Sequence, residues 1–180
     1  MSEAKKIFIA GFGGQGVLLI GQLLSYGAMY QDKEVTWMPS YGPEMRGGTA
    51  NCTVCISDDP IASPFVSDNF DVLIAMNAPS LEKFEGNLKP GGELFINTSV
   101  VHIDTKRTDV NVHKVDCNRI AIEEVGSDKS ANMVMLGAII NVTKAIDLDI
   151  MEKVFDHVFT GGKAKFIPSN LKALTAWKPE

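Results

Sequence analysis

Residues 5–24, KKIFIAGFGGQGVLLIGQLL, contain the change of pattern that decides the fold. The short apolar run at 5–10 is typical of a buried strand, and it stops at a cluster of glycines. From residue 14 to about residue 30, apolar residues recur with the spacing of a helix face. The segment therefore predicts a strand, a glycine turn and a helix.

Strands and helices continue to alternate along the rest of the chain. Further strands are predicted at residues 34–38, 49–56, 71–76, 93–97 and 110–115. Further helices are predicted at residues 78–88, 117–125, 130–146, 149–159 and 168–177. The alternation predicts an α/β fold with an open, mostly parallel, doubly wound (Rossmann-like) sheet, formed as a single domain by residues 1–180.

Two details of this prediction concern the breakers between elements. The sequence KPGG at residues 89–92 is expected to end the helix that begins at residue 78. The polar loop between the second and third strands is expected to be too long for a hairpin turn.

The helix at 130–146 carries apolar residues around most of its circumference, so we expect it to be covered on more than one side.

Length and charge exclude several classes of protein. The chain has 180 residues, 45% of them hydrophobic and 22% charged, which is typical of one globular domain. Its net charge of −5 argues against DNA or RNA as a partner, because phosphate-backbone binding normally needs a basic surplus. No apolar run resembles a signal peptide or a membrane span. Three cysteines, an odd number, fit a reducing compartment, so we expect a cytoplasmic protein without membrane contact.

The glycine loop, residues 11–16 (GFGGQG), has the spacing G-x-G-x-x-G between a predicted strand and helix. Glycines allow a ligand to approach the backbone closely, and the free amides and dipole at a helix N-terminus favour an anion. The candidate ligand-binding residues of this loop are Gly11, Gly13, Gly14, Gln15 and Gly16. The alternative is a tight turn that only packs the helix against the sheet.

The glycine loop does not match two common nucleotide motifs completely. An NAD site needs an acidic residue at the end of the second strand, where this chain has WMPS at residues 37–40. A Walker loop needs Lys and then Ser or Thr after its last glycine, where this chain has Val17 and Leu18. A free-standing Rossmann-like nucleotide-binding protein, such as a dehydrogenase, is therefore an alternative that lacks one expected residue.

A second loop, SYGPEMRGGT at residues 40–49, concentrates polar groups between glycines and a proline. Arg46 offers a planar donor fork suited to phosphate or carboxylate, and Tyr41 offers a flat face and a hydroxyl. Glu44 and Gly47 complete the candidate set. Because both loops follow the carboxyl ends of predicted strands, we expect them to open on one crevice. The alternative is that Glu44 and Arg46 form an ion pair that stabilises the loop or a subunit contact.

Cysteines and histidines give no metal or catalytic site in this pattern. Cys52 and Cys55 lie in a predicted strand, where an odd spacing sends their side chains to opposite faces. Only Cys117 remains, so neither a four-cysteine zinc site nor an iron–sulfur cluster is expected within the chain. The three histidines lie without metal spacing or a nucleophile motif, and we assign no catalytic residue.

Three segments together resemble the gamma subunit of 2-oxoacid:ferredoxin oxidoreductases. They are IFIAGFGGQGVLLIGQLL at 7–24, SYGPEMRGGTANC at 40–52 and SANMVMLG at 130–137. Their combination is far more specific than the glycine motif alone, and it extends over almost the whole chain. The second loop is most similar to chains of 2-oxoglutarate enzymes, rather than to the pyruvate, branched-chain or indolepyruvate types.

The resemblance implies one subunit of a multisubunit enzyme that converts 2-oxoglutarate to succinyl-CoA, CO₂ and reduced ferredoxin. Thiamine diphosphate and iron–sulfur clusters would be carried by partner chains, since this chain lacks a Gly-Asp-Gly motif and cluster cysteines. The implied partners are the alpha, beta (thiamine diphosphate) and ferredoxin-like delta subunits, with ferredoxin or flavodoxin as acceptor. Coenzyme A is the implied ligand of the glycine loop and Arg46. The remaining alternative is a purely structural subunit without a ligand role.

Overall fold

Six strands form one mixed sheet in the computed structural model, which describes residues 3–41, 48–64, 66 and 68–179. The strands are β1 (Lys5–Phe12), β2 (Glu34–Tyr41), β3 (Thr49–Ser57), β4 (Phe70–Ala75), β5 (Leu88–Asn97) and β6 (Asn111–Val115). Their order across the sheet is β2-β3-β1-β4-β5-β6. Only β3 runs against its neighbours, and β1, β4, β5 and β6 pair in parallel. The mostly parallel α/β sheet that the sequence predicts is confirmed.

Helices cover both faces of the sheet, but unequally. They are α1 (Val17–Met29), α2 (Ala78–Phe84), α3 (Cys117–Val125), α4 (Ala131–Thr143), α5 (Met151–Val158) and α6 (Ile167–Leu174). Short 3₁₀ segments occur at Glu85–Asn87, Asp128–Ser130, Leu148–Ile150 and Gly161–Phe166. The larger core contains α1 and α3 to α6, while α2 shares the opposite face with loop residues such as Val101. Among the described helices, none is long and apolar enough to cross a bilayer.

The breaker at residues 89–92 lies in a different element from the one predicted. These residues belong to the first half of β5, so the prediction that they end the preceding helix is wrong. That helix gives way earlier to the 3₁₀ turn Glu85–Asn87. The glycines and proline instead coincide with a shift of register in the pairing of β5 with β4, between Phe70 and Val72. Glycine and proline are typical of such irregular positions in a strand.

The loop that follows β2 joins two neighbouring antiparallel strands. Ser40 pairs with Asn51 and Tyr41 with Ala50, so the connection is a wide hairpin and the prediction against a hairpin is wrong. Length alone does not exclude such a connection, because the entropy cost of closing a loop rises only slowly with its length.

Two helices are shorter than predicted because single residues adopt left-handed backbone conformations at their ends. Gly16 has φ +75°, so α1 begins at Val17. Lys144 has φ +50°, so α4 ends at Thr143. The Lys5 amine donates a hydrogen bond to the Thr143 carbonyl at 2.6 Å, which satisfies one of the free carbonyl groups at the end of α4.

α4 is the most deeply buried helix of the larger core. Every residue from Ala131 to Ile140 is buried, which confirms that this helix is covered on more than one side. Its backbone approaches α6 closely at Gly137, where an added Cβ would lie 1.8 Å from the Leu174 carbonyl oxygen. Only a residue without a side chain allows this contact.

We expect Gly137→Ala to destabilise the chain by about 1 to 3 kcal/mol, the usual cost of overpacking. The clash with the Leu174 backbone would outweigh the roughly 1 kcal/mol that alanine gains over glycine in a helix. Urea unfolding of the purified chain measures the difference. Gly162→Ala is the matched control, because a Cβ there meets nothing within 4 Å. A Gly137→Ala protein as stable as the wild type would contradict the close approach.

Candidate functional site

The two loops singled out from the sequence begin at the same edge of the sheet. β1 and β2 run in the same direction on either side of β3, and their last residues, Phe12 and Tyr41, pair with Thr49 and Ala50 at the start of β3. The loops also meet directly, since the Gly13 N–H donates to the Gly48 carbonyl at 2.9 Å. The carboxyl edge of β1 and β2 is therefore the candidate functional site.

The structure describes only part of the second loop. Tyr41 is the last residue of β2, and its backbone is placed at the edge of the sheet. Glu44, Arg46 and Gly47 lie outside the described residues. Their assignment to a ligand site therefore stays a prediction from the sequence.

Gln15 braces the glycine loop from within. Its side-chain oxygen accepts a hydrogen bond from the Phe12 N–H at 2.7 Å, and its side-chain nitrogen donates to the Met76 carbonyl at 2.8 Å. The Asn77 side chain adds a donor to the same oxygen at 3.4 Å. Gln15 thus ties the end of β1 to the segment after β4, and its amide is occupied by these internal partners.

Glycine is required at two positions of the loop for its backbone conformation. Gly14 has φ +99° and Gly16 has φ +75°, a region that residues with a side chain rarely adopt. A Cβ at Gly14 would meet nothing within 4 Å, so the loop backbone at this residue borders open space. A Cβ at Gly16 would lie 2.3 Å from Nδ2 of Asn132, so this glycine makes room for a side chain of α4.

Several backbone donors of the loop have no acceptor. In the described part of the chain, the N–H groups of Gly14 and Gly16 donate to no protein group. The first amides of α1, from Val17 onward, also lack acceptors within their own helix. No acidic residue lies in the first turn of α1 to compensate its dipole. Together these groups favour an anion or another acceptor at the start of α1.

Two cavities lie on opposite sides of the glycine loop, and both are bordered by Gly14 and Gly16. The α1 cavity, about 300 Å³, is lined by the first turn of α1, by Phe12 and by residues 48–50. The α4 cavity, about 250 Å³, is lined by Met76, Asn97, Asn118 and residues 128–132, where α4 begins. The glycine loop thus separates a largely apolar space beside β3 from a polar space beside β5.

A hydrogen-bonded network forms the β5 side of the α4 cavity, and the sequence reasoning missed it. Asn97 is 1% exposed, and its side-chain oxygen accepts from the N–H groups of Ser99 at 3.2 Å and Cys117 at 3.3 Å. Its nitrogen donates to Oδ1 of Asn118 at 3.2 Å. The available signal was a polar residue at the carboxyl end of a buried parallel strand, where ligands of such sheets bind.

The same network extends to a charged pair at the start of α3. The Ser99 hydroxyl donates to the Asp116 carboxylate, and Nε of Arg119 donates to it at 2.6 Å. These hydrogen bonds hold the pKa of Asp116 below its ordinary value, with Ser99 the larger cause. Because the Ser99 and Asp116 side chains join β5 to α3, the wall of the cavity is tied to the sheet.

The cysteines lie in the core. Cys52 and Cys55 alternate along the unbroken ladder of β3, so they face opposite sides of the sheet as predicted. Burial raises the pKa of the Cys52 thiol to about 12, and it raises the pKa of Cys117 further. All three are free and buried, and they behave as packing residues.

Two histidines contact other side chains away from the glycine loop. His113 stacks on Phe95 at 4.7 Å between ring centres, and its Nε2 lies 2.5 Å from a Glu93 carboxylate oxygen. His157 packs on the ring of Tyr26 at 4.8 Å. These contacts are those of structural residues.

Comparison with known proteins assigns the chain to a family. The model of the pyruvate ferredoxin/flavodoxin oxidoreductase family matches residues 6–176. The chain belongs to the pyruvate ferredoxin/flavodoxin oxidoreductase family. The family resemblance found in the glycine loop, the second loop and the start of α4 is therefore confirmed.

Individual relatives in this family differ in length. The 2-oxoglutarate synthase subunit KorC of Methanocaldococcus jannaschii is 38% identical over 164 residues, which are 89% of this chain and 87% of KorC. The ketoisovalerate oxidoreductase subunit VorA of Methanothermobacter marburgensis is 38% identical over 172 residues, which are 95% of this chain but 35% of VorA. The chain thus matches KorC nearly end to end and spans only part of VorA.

Solved structures support the fold of this family member. The gamma subunit of a keto/oxoacid ferredoxin oxidoreductase from Geobacter sulfurreducens has a TM-score of 0.80 and 28% identity, covering 95% of this chain and 94% of that one. The 2-oxoglutarate:ferredoxin oxidoreductase of Magnetococcus marinus has a TM-score of 0.82 at 23% identity, covering 97% of this chain and 31% of that one. The second likeness concerns the fold alone.

We expect Gln15→Leu to lower the free energy of unfolding by about 1 to 3 kcal/mol, the net contribution of two hydrogen bonds at about 0.5 to 1.5 kcal/mol each. The Phe12 N–H and the Met76 carbonyl would both lose the amide that braces the loop. Gln22→Leu is the matched control, because Gln22 is also partly buried and its side chain makes no hydrogen bond in the described part of the chain. Denaturant unfolding compares the variants, and equal losses would remove the bracing role of Gln15.

Proposed function

We propose that this chain is the gamma subunit of a multisubunit 2-oxoacid:ferredoxin oxidoreductase. The observation that carries the proposal is the nearly end-to-end match to a subunit of 2-oxoglutarate synthase and to a solved gamma subunit. Such an enzyme removes CO₂ from a 2-oxoacid, transfers the acyl group to the thiol of coenzyme A and passes two electrons to ferredoxin or flavodoxin. This chain contributes to assembly and to the binding of coenzyme A.

The redox and decarboxylation steps belong to partner chains in this proposal. The three cysteines are buried, and two of them face opposite sides of β3, so they do not form a set of cluster ligands. The proposal therefore assigns iron–sulfur clusters to a ferredoxin-like delta subunit and thiamine diphosphate to the beta subunit, beside an alpha subunit. When bound to the beta subunit, thiamine diphosphate would stabilise the carbanion that forms on decarboxylation.

Two chemical properties of coenzyme A support the proposal that part of it binds in the α1 cavity. Its phosphates are anions, and the amides of Gly14, Gly16 and the α1 N-terminus are donors without acceptors among the described residues. Its thiol-bearing arm has apolar stretches, which Phe12 and the first turn of α1 would contact. Arg46 follows β2 in the sequence, and its guanidinium is proposed to pair with a phosphate. A further support is that the fold neighbour from Magnetococcus marinus was solved with coenzyme A and succinyl-CoA bound.

The proposed 2-oxoacid is 2-oxoglutarate. Support comes from the second-loop sequence and from KorC at 38% identity, against 30% for the pyruvate synthase subunit PorC of Methanothermobacter thermautotrophicus. Identity to the ketoisovalerate subunit VorA is also 38%. The assay must therefore compare 2-oxoglutarate with ketoisovalerate as well as with pyruvate.

Isolation of the tagged chain from its native host without oxygen tests the proposal. We expect it to bring along partner chains, one with a thiamine-diphosphate motif and one rich in cluster cysteines. The preparation should reduce ferredoxin fastest with 2-oxoglutarate and only when coenzyme A is present. Recovery of the chain alone would overturn the proposal and favour a free-standing nucleotide-binding protein. Faster reduction with ketoisovalerate or pyruvate would overturn only the substrate assignment.

Arg46→Ala in the assembled enzyme should raise the KM for coenzyme A about tenfold or more, since a hydrogen bond between charged groups contributes about 1.5 to 3 kcal/mol. The KM for the 2-oxoacid should not change, because the arginine is proposed to contact coenzyme A and not the 2-oxoacid. The kcat should also be unchanged, because the contact is proposed to be equally strong in the ground state and the transition state. Lys153→Ala is the control, since this exposed cation packs on Tyr30 at the end of α1 opposite the glycine loop. An unchanged KM for coenzyme A in Arg46→Ala would favour a purely structural subunit.

A further inference from the structure

Asn132 is a buried polar side chain without a partner among the described residues. It lies in the first turn of α4, is 8% exposed and borders the α4 cavity. Its side-chain amide makes no hydrogen bond in the described part of the chain. Among the described residues, no fully enclosed side-chain nitrogen or oxygen lacks a partner, so the polar atoms of Asn132 must be open to the cavity. Because polar groups in such positions are normally hydrogen-bonded, this amide is available to pair with water or with a ligand in the cavity.

The position of Asn132 is set by packing and does not depend on a ligand. A Cβ at Gly16 would lie 2.3 Å from Nδ2 of Asn132. Because glycine has no Cβ, the Asn132 amide can pack against the glycine loop. The residues that follow Asn132 along α4 are buried without interruption to Ile140. The amide is thus held at the cavity by a rigid helix on one side and by a glycine on the other.

Two side-chain amides place free donors in the α4 cavity. Oδ1 of Asn118 already accepts from Asn97, which leaves the Asn118 nitrogen as a donor without an acceptor in the described part of the chain. The Asn132 nitrogen adds a second donor without an acceptor in the described part of the chain. At the mouth, Asp128 and Lys129 are both exposed and carry opposite charges, so the interior donors decide what binds.

We propose that the α4 cavity is an oxyanion subsite, in which the side-chain amides of Asn132 and Asn118 donate to a phosphate or carboxylate group. This subsite is distinct from the α1 cavity. The two cavities share Gly14, where a Cβ would meet nothing within 4 Å, so a ligand can extend past this residue from one cavity to the other. The inference deepens the proposed function, on which it rests for the biological source of the oxyanion. The binding itself involves only residues of this chain.

Side-chain amide resonances of the full ¹⁵N-labelled chain test the subsite directly. Inorganic pyrophosphate and succinate serve as the phosphate and carboxylate probes in separate titrations. We expect saturable shifts of the Asn132 and Asn118 NH₂ signals with one probe or both, and the stronger probe identifies the source. Asn132→Leu, which preserves the shape but removes the amide, should weaken binding about tenfold or more. Absence of a shift with both probes would overturn the proposal.

A matched control separates binding from folding. Asn141→Leu makes the same change on the same helix, at the end distant from the cavity, where the side chain accepts only from Lys144 at 3.3 Å. It should bind both probes as the wild type does. Equal affinities of Asn132→Leu and Asn141→Leu would also overturn the subsite. Because the titrations contain neither coenzyme A nor partner chains, an unchanged KM in the Arg46→Ala enzyme leaves their result standing.

Discussion

Burial of α4 on all sides is the constraint on which the arrangement of the site depends. Ten consecutive residues, Ala131 to Ile140, are buried, so neighbouring elements pack around this whole stretch of the helix. The sheet, α3 and α6 must enclose it, and Gly137 lets the backbone of α6 approach its axis. The contact at Gly137 fixes how far α4 reaches along the sheet. Less than two turns away, the same helix presents Asn132 to the glycine loop. Hydrophobic packing in the core therefore determines the polar geometry at the edge.

The glycines of the loop perform different tasks that the motif alone does not distinguish. Gly11 is enclosed by Gln15, Met76 and Val17, and Gly16 is enclosed by Asn132, so both serve the packing of the chain itself. Gly14 has a left-handed backbone with open space at its Cβ position. Close approach of a ligand is thus concentrated at Gly14, between the two cavities. Here the motif G-x-G-x-x-G fixes the backbone conformation of the loop. Of Gly11, Gly14 and Gly16, only Gly14 has open space at its Cβ position that a ligand can enter.

The sequence was sufficient for features that depend on local pattern. The strand, glycine turn and helix of residues 5–29 follow from apolar spacing, and α3 was predicted with its observed bounds at Cys117 and Val125. Features that depend on distant partners were missed. The position of residues 89–92 within β5 follows from pairing with β4, and the insertion of β3 between β1 and β2 follows from its pairing with β1. Gln15 was a candidate ligand residue, yet its hydrogen bond to the Met76 carbonyl crosses 61 residues of sequence.

The order of strands also bears on whether this glycine loop can serve a dinucleotide. In that mode of binding, the acidic residue after the second strand reaches a ribose held at the end of the first strand, so the two strands must be neighbours. Here β3 is inserted between β1 and β2, and adjacent strands lie about 4.8 Å apart, which places the end of β2 roughly 10 Å from that of β1. The absence of an acidic residue at 37–40 and this separation both argue against a dinucleotide site. Instead, Gly48, just before β3, contacts the glycine turn, because its carbonyl accepts a hydrogen bond from the Gly13 N–H. The chain therefore uses a familiar glycine turn to join two loops at one edge, an arrangement suited to a ligand that spans the two sides of Gly14.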